Sequence, residues 1–150
     1  MAPFIIKLVS SKILMSCVLS FLLAKLLKVV ILLMQTGKFE RKYLFTSGAM
    51  PSVHAASVAA LTTAIFFEEG VTPLSIAVLI FSIIIVRDAV GIRWTAGQQS
   101  IVINRMIEYL RKQGKFKLDK LEEVMGHTLS EVVVGSVIGI LITSSIYLVI

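Results

Sequence analysis

Cysteine and histidine are nearly missing from this chain, which has one of the first, Cys17, and two of the second, His54 and His127. A lone cysteine inside an apolar run excludes a disulfide framework and a Cys-rich metal site, and it reads as a small buried hydrophobe. Aromatic-interleaved basic repeats that grip single strands are absent, so the net charge of +6 does not imply nucleic acid. Internal repeats and low-complexity tracts are absent too. The N-terminal apolar run lacks a small-residue cleavage site and is interrupted by Lys25 and Lys28, so it is expected to stay as a mature helix rather than leave as a signal peptide.

What the chain has is hydrocarbon. Hydrophobic residues make up 57% of 150 residues and the mean hydropathy is +0.92, too apolar for a soluble fold of this size. The expected fold is all-α, a polytopic membrane helix bundle in which residues 1–150 form a single membrane domain. About four transmembrane helices are expected, at residues 13–34, 49–67, 73–92 and 128–150, with an interfacial turn at 3–11 before them. Pro51 suits the first turn of the second span, where its missing N–H would be unpaired anyway.

The connections differ in charge. Glu68 and Glu69 stand in a short turn without Lys or Arg, whereas residues 35–48 carry Lys38, Arg41 and Lys42. The loop 93–127 is more basic still, with Arg93, Arg105, Arg111, Lys112, Lys115, Lys117 and Lys120. The positive-inside rule places both basic connections in the cytoplasm and the Glu-Glu turn outside, against a weak opposing signal from Lys7 and Lys12. Within the long loop, residues 98–112 read as a cytoplasmic amphipathic helix lying on the bilayer surface, with Ile103, Met106, Ile107 and Leu110 on one face. A short helix is expected at 118–125, after a hinge at Gly114.

Under this topology the unusual polar residues converge. Lys28 lies ~10 Å below the cytoplasmic end of the first span. Ser52 and His54 open the second, Arg87, Asp88 and Arg93 close the third, and His127 and Glu131 open the fourth. Ionisable groups at membrane depth are expensive and face a cavity or a partner. Helix starts present unpaired N–H groups that favour an anion. His127 and Glu131, four apart, share a helix face, so the carboxylate could fix one imidazole tautomer. Each feature also has a plainer explanation. Thr128-x-x-Glu131 is a capping box, Ser52 an ordinary cap, and Lys25 and Lys28 can snorkel. Asp88 can pair with Arg93, Trp94 can anchor at the interface, and Gly135-x-x-x-Gly139 is a helix-packing motif.

Together these residues resemble a known family. The run from Ser47 through Gly48, Ala49, Met50, Pro51, Ser52, Val53 and His54 to Ala56 looks like the GGMPSSHSA segment of short, divergent proteins related to type-2 phosphatidic acid phosphatases and vanadium haloperoxidases. Asp88-Ala89-Val90-Gly91-Ile92-Arg93, with Ala96-Gly97-Gln98 and Asn104, is similar to the family's DA-x-GVR…AG-x-Q…N signature. Gly126-His127-Thr128 through Glu131-Val132 to Gly135 looks like its GH-x-x-x-EV-x-x-G ending, and Lys28 matches a late lysine of the first helix. The resemblance implies metal-independent hydrolysis of a phosphate ester. His127 would be the nucleophile, Glu131 its orienter and His54 the acid. Lys28, Arg93 and Ser52 would hold phosphate oxygens, with Asp88 in support. The broader superfamily's Lys-x6-Arg-Pro motif is not reproduced, since Gln35 stands seven after Lys28. Val53 replaces a glycine, Glu131 replaces an aspartate, and Arg93 lies 34 residues before His127 instead of close to it (127 − 93).

The expected function is a membrane phosphatase that cleaves a lipid phosphate or pyrophosphate monoester through a phosphohistidine intermediate. It would act at the cytoplasmic face of the cell membrane with no cofactor or metal. The alternative is a non-catalytic lipid-phosphate binder or small transporter, which the same anion-binding face would serve. The partners expected are the lipid and the membrane, not nucleic acid. A homodimer would help a four-helix chain enclose a polar site.

Overall fold

The computed structural model describes residues 7–39, 41, 48–114, 118–121, 123 and 125–149. Residues 3–6 of the expected turn at 3–11, together with Lys42, Ser47, Lys115, Lys117 and Ile150, lie outside them. All regular structure among the described residues is helical: α1 (Lys12–Thr36), α2 (Val53–Glu69), α3 (Pro73–Val90), α4 (Ile92–Lys112) and α5 (Leu129–Val149). The second helix is the hub, packed against α1, α3 and α5, while α4 touches the bundle chiefly through α3.

The packing is that of a protein whose solvent is lipid. Large apolar side chains such as Leu22, Leu26, Ile80, Phe81 and Leu141 are exposed, and small ones are inside. Along α1 every fourth residue is buried, in the series Ser16, Ser20, Ala24, Lys28. On α2 the matching stripe is Ala56, Ala60 and Ala64, and on α5 it is Gly135, Gly139 and Thr143. Lipid gives no hydrophobic push between helices, so close backbone approach through small residues holds them. A Cβ added at Gly135 would strike the Ser52 carbonyl, and one at Gly139 would strike that of Ala56. Thr143 Oγ1 donates to the Ala60 carbonyl at 3.4 Å farther along. The helices α2 and α5 therefore run parallel in contact, and both begin at the same end of the bundle.

Local chemistry sets the helix ends. Ser11 caps α1, and Gly37, in the left-handed region at φ 68°, closes it by donating to Leu33. Thr72 and Ser75 form a reciprocal capping box at the start of α3, with Pro73 in its first turn. Thr62 Oγ1 and Ser82 Oγ, 2.8 Å apart, tie α2 to α3.

Among the described residues three stretches are long and apolar enough to cross a membrane: Lys12–Thr36, the nearly continuous run Pro73–Lys112, and Leu129–Val149. The expected second span begins later than residue 49. Gly48 and Ala49 have positive φ, and Ser52 is the extended N-cap, accepting from Ala55 N, so Pro51 precedes the helix instead of lying in its first turn. What remains of α2 is 17 residues, about 25 Å long. The amphipathic helix is longer than 98–112, starting at Ile92 directly after a break at Gly91. The short helix expected at 118–125 does not form over 118–121. Leu121 instead donates its N–H to Asn104 Oδ1 at 2.8 Å, and its carbonyl accepts from Asn104 Nδ2 at 2.9 Å, so a side-chain amide takes the place of intrahelical partners.

Candidate functional site

Four helix ends meet at one end of the bundle, and backbone hydrogen bonds set their register. Ser52, at the head of α2, donates its N–H to the Glu131 carbonyl in the first turn of α5 at 3.0 Å. His127, just before α5, donates its N–H to the Ala89 carbonyl in the last turn of α3, also at 3.0 Å. Gly126 lies so close to the Arg93 and Trp94 backbone that a Cβ there would collide with both. Segments between 32 (126 − 94) and 79 (131 − 52) residues apart in sequence are thus locked together around His127.

The central pair is short. His127 Nδ1 is 2.7 Å from Glu131 Oε2, with side chains only 7% and 16% exposed. The capping-box contacts of the same carboxylate and of Thr128 are both long, at 3.4 Å. Glu131 serves both purposes, and the distances rank the imidazole contact first, because a charge-assisted bond strengthens as it shortens. A carboxylate in its ionised form only accepts, so this contact favours the imidazole tautomer that carries its hydrogen on Nδ1. His54 faces this group, its ring 6.5 Å from the His127 ring, centroid to centroid, and inclined by 62°. That gap is too wide for a direct bond between the imidazoles.

The two lysines of α1 part company. Lys25 lies over the Phe21 ring on the outside of the helix, 5.4 Å from its centroid. Lys28 continues the small-residue stripe inward, is 5% exposed, and lies within electrostatic range of Glu131. Inward placement of a lysine at this depth needs a compensating anion. Arg93, His127 and Lys28 all act through space on His54. Ser52 is fully buried as the cap of α2, which leaves it close to the site and already engaged with Ala55 N at 3.4 Å. Asp88 holds Arg93 Nε at 3.2 Å in a pair half exposed to the surroundings. Such a pair contributes about 0–1 kcal/mol to stability, so its value lies in aiming Arg93. Trp94 is not only an interfacial anchor: it lines a 300 Å³ cavity with Val90, His127, Thr128 and Leu129. Among the described residues no group of three or more His, Cys, Asp or Glu side chains is gathered for a metal ion.

Against this geometry, residues 9–142 match the model of the Divergent PAP2 family. The chain belongs to that family. It is also similar to the "Uncharacterized membrane protein YuiD" of Bacillus subtilis (strain 168), at 34% identity over 142 residues that cover 87% of this chain and 90% of the relative. No solved structure matches. Family membership and the apolar helices make this a membrane protein of phosphatase-related ancestry.

One buried polar residue near this end of the bundle was quoted in the sequence as part of a motif but drew no role there. Asn104, 5% exposed on α4, bonds both polar groups of Leu121 and also Glu123 Oε1 at 2.7 Å. Arg111 adds a bond to the Leu118 carbonyl at 3.1 Å, and Lys120 reaches Glu108 at 3.4 Å. These contacts strap the segment that leads to His127 onto α4, which carries Arg93 in its first turn. The available signal was its place in the DA-x-GVR…AG-x-Q…N pattern, seven residues (two turns) after Gly97; both are buried, together with Ile107.

Proposed function

We propose that this protein is a metal-independent phosphatase of a membrane lipid phosphate or pyrophosphate, working at the cytoplasmic face. The observation that carries the reading is the 2.7 Å His127–Glu131 contact beside a second imidazole and a buried lysine.

In this mechanism the substrate phosphate enters between the two rings. Lys28, Arg93 and the N–H groups at the start of α2 take its oxygens, as charged donors and helix termini do for phosphoryl groups. The Nε2 lone pair of His127 attacks phosphorus while His54 gives a proton to the departing lipid oxygen. Glu131 steadies the positive charge that develops on the His127 ring. His54, now neutral, takes a proton from water. The resulting hydroxide displaces His127 from phosphorus, and inorganic phosphate leaves. Preorganised charge supplies most of the rate, and no side chain needs to move far.

The test is phosphate release by purified protein in detergent, with chelator present, across lipid phosphates and pyrophosphates, beside His127→Ala. Release that survives chelator and is lost in the variant supports the reading. No release from any lipid by folded protein would transfer it to lipid-phosphate binding or transport.

A further inference from the structure

Where α3 turns into α4, the elbow forms an open cavity of 870 Å³ that shares only Arg93 and its partner Asp88 with the proposed phosphate site. Its walls are apolar, formed by Phe81, Ile84 and Ile85 from α3 and Ala96 from α4. Its mouth carries Arg87 and the Asp88–Arg93 pair. Phe81 and Ile84 are exposed at 63% and 58%, so the apolar wall faces whatever surrounds the bundle. Phe81 lies six residues before Arg87, about 9 Å deeper along the helix. The Arg87 guanidinium makes no hydrogen bond or ion pair among the described residues, in contrast to the carboxylate of its neighbour Asp88.

The division of this space, with hydrocarbon walls below and an unpaired guanidinium above, matches the division of an anionic lipid. Its volume falls within the range of ligand cavities, about 300–1,000 Å³. A guanidinium prefers a planar or tetrahedral oxyanion that can take two of its donors. Arg93 also connects this space to the histidines, since it lines the cavity and acts on His54. We propose that the elbow seats an anionic membrane lipid, its hydrocarbon chain along α3 and its headgroup on Arg87. The phosphatase reading supplies the purpose of the seat, because the seated lipid is then the substrate. Occupancy by lipid does not depend on it.

The experiment uses the full chain in phosphatidylcholine nanodiscs doped with a phosphatidic acid that carries a diazirine on one acyl chain. After illumination, labelled peptides are mapped and phosphate release is measured on the same preparation. Labelling should concentrate within residues 81–99 and be competed by unlabelled phosphatidic acid, not by phosphatidylcholine. It should fall about tenfold in Arg87→Gln, the loss expected for one charge-assisted contact, with recovery in Arg87→Lys. Ala96→Trp, which fills an exposed cavity wall without touching the bundle interior, should abolish it. Labelling spread evenly over the exposed face of α1, insensitivity to Ala96→Trp, or equal competition by phosphatidylcholine would each overturn the proposal. Label at the elbow without phosphate release would leave the seat standing and remove the phosphatase. Release without label at the elbow would do the reverse.

Discussion

The two ends of this bundle both carry polar clusters, and they are built differently. At the end away from the histidines, Tyr147 donates to Glu68 Oε1 at 2.7 Å, stacks on Phe67 at 4.9 Å, and has Lys12 over its ring at 5.4 Å. Each group there answers another, and the hydrogen bond is exposed. At the histidine end the key bond is equally short but buried, and it leaves capacity unspent: the Nε2 lone pair of His127, the exposed ring of His54, and a helix start. A cluster that satisfies itself holds helices together. One that buries charge and still offers free donors and acceptors is arranged for something not yet there.

That contrast can be broken most sharply at Glu131. Glu131→Gln keeps the side chain's size and removes the charge that steadies His127, and phosphate release should fall by about 10²–10⁴-fold with KM little changed. A loss below about threefold would mean that Glu131 serves only as a cap. Next comes the seam that places the two helix starts side by side. Gly139→Ala forces a methyl onto the Ala56 carbonyl and should cost about 1–3 kcal/mol in an unfolding titration. Wild-type stability would show that α2 and α5 do not approach as described.

The strap comes third. Asn104→Ala removes three hydrogen bonds from the segment leading to His127. Amide exchange over 118–127 should quicken by about tenfold or more while exchange in α2 stays slow. Turnover should fall at unchanged pH dependence, because the titrating groups themselves remain. The smallest effect belongs to the far end. Tyr147→Phe should leave phosphate release unaltered and shift stability by less than about 1 kcal/mol, since it loses one exposed hydrogen bond and keeps the stack. A large drop in release would erase the distinction between the two ends.

Much of the site could be read along the chain because its determinants are local. The four-residue step from His127 to Glu131 announced their contact, although His127 lies two residues before α5, so the contact spans the start of the helix and not a shared helical face. The inward lysine was chosen in the sequence by the family resemblance and not by depth. Lys25 and Lys28 look alike by depth, and in the fold the stripe Ser16, Ser20, Ala24 at the same four-residue step singles out Lys28. What could not be read was set by contacts between distant segments. The start of α2 is fixed in part by a bond from Ser52 to Glu131, 79 residues later (131 − 52). The segment at 118–121 looked helical by composition, and Asn104 draws its backbone away from helical pairing. The expected span 73–92 and the amphipathic helix are nearly one run, interrupted at Gly91, because nothing but that glycine stops the helical pattern there.

The central claim is that His127 Nε2, freed by the hold of Glu131 on Nδ1, takes the phosphoryl group. The direct measurement is to mix protein with a lipid phosphate, quench within milliseconds in alkali, where a phosphorus–nitrogen bond to imidazole survives, and weigh the peptide containing residue 127. The account predicts one added phosphoryl group on His127, absent in His127→Ala and accumulating before steady state. Steady phosphate release with that peptide unmodified, or release undiminished in His127→Ala, would contradict it.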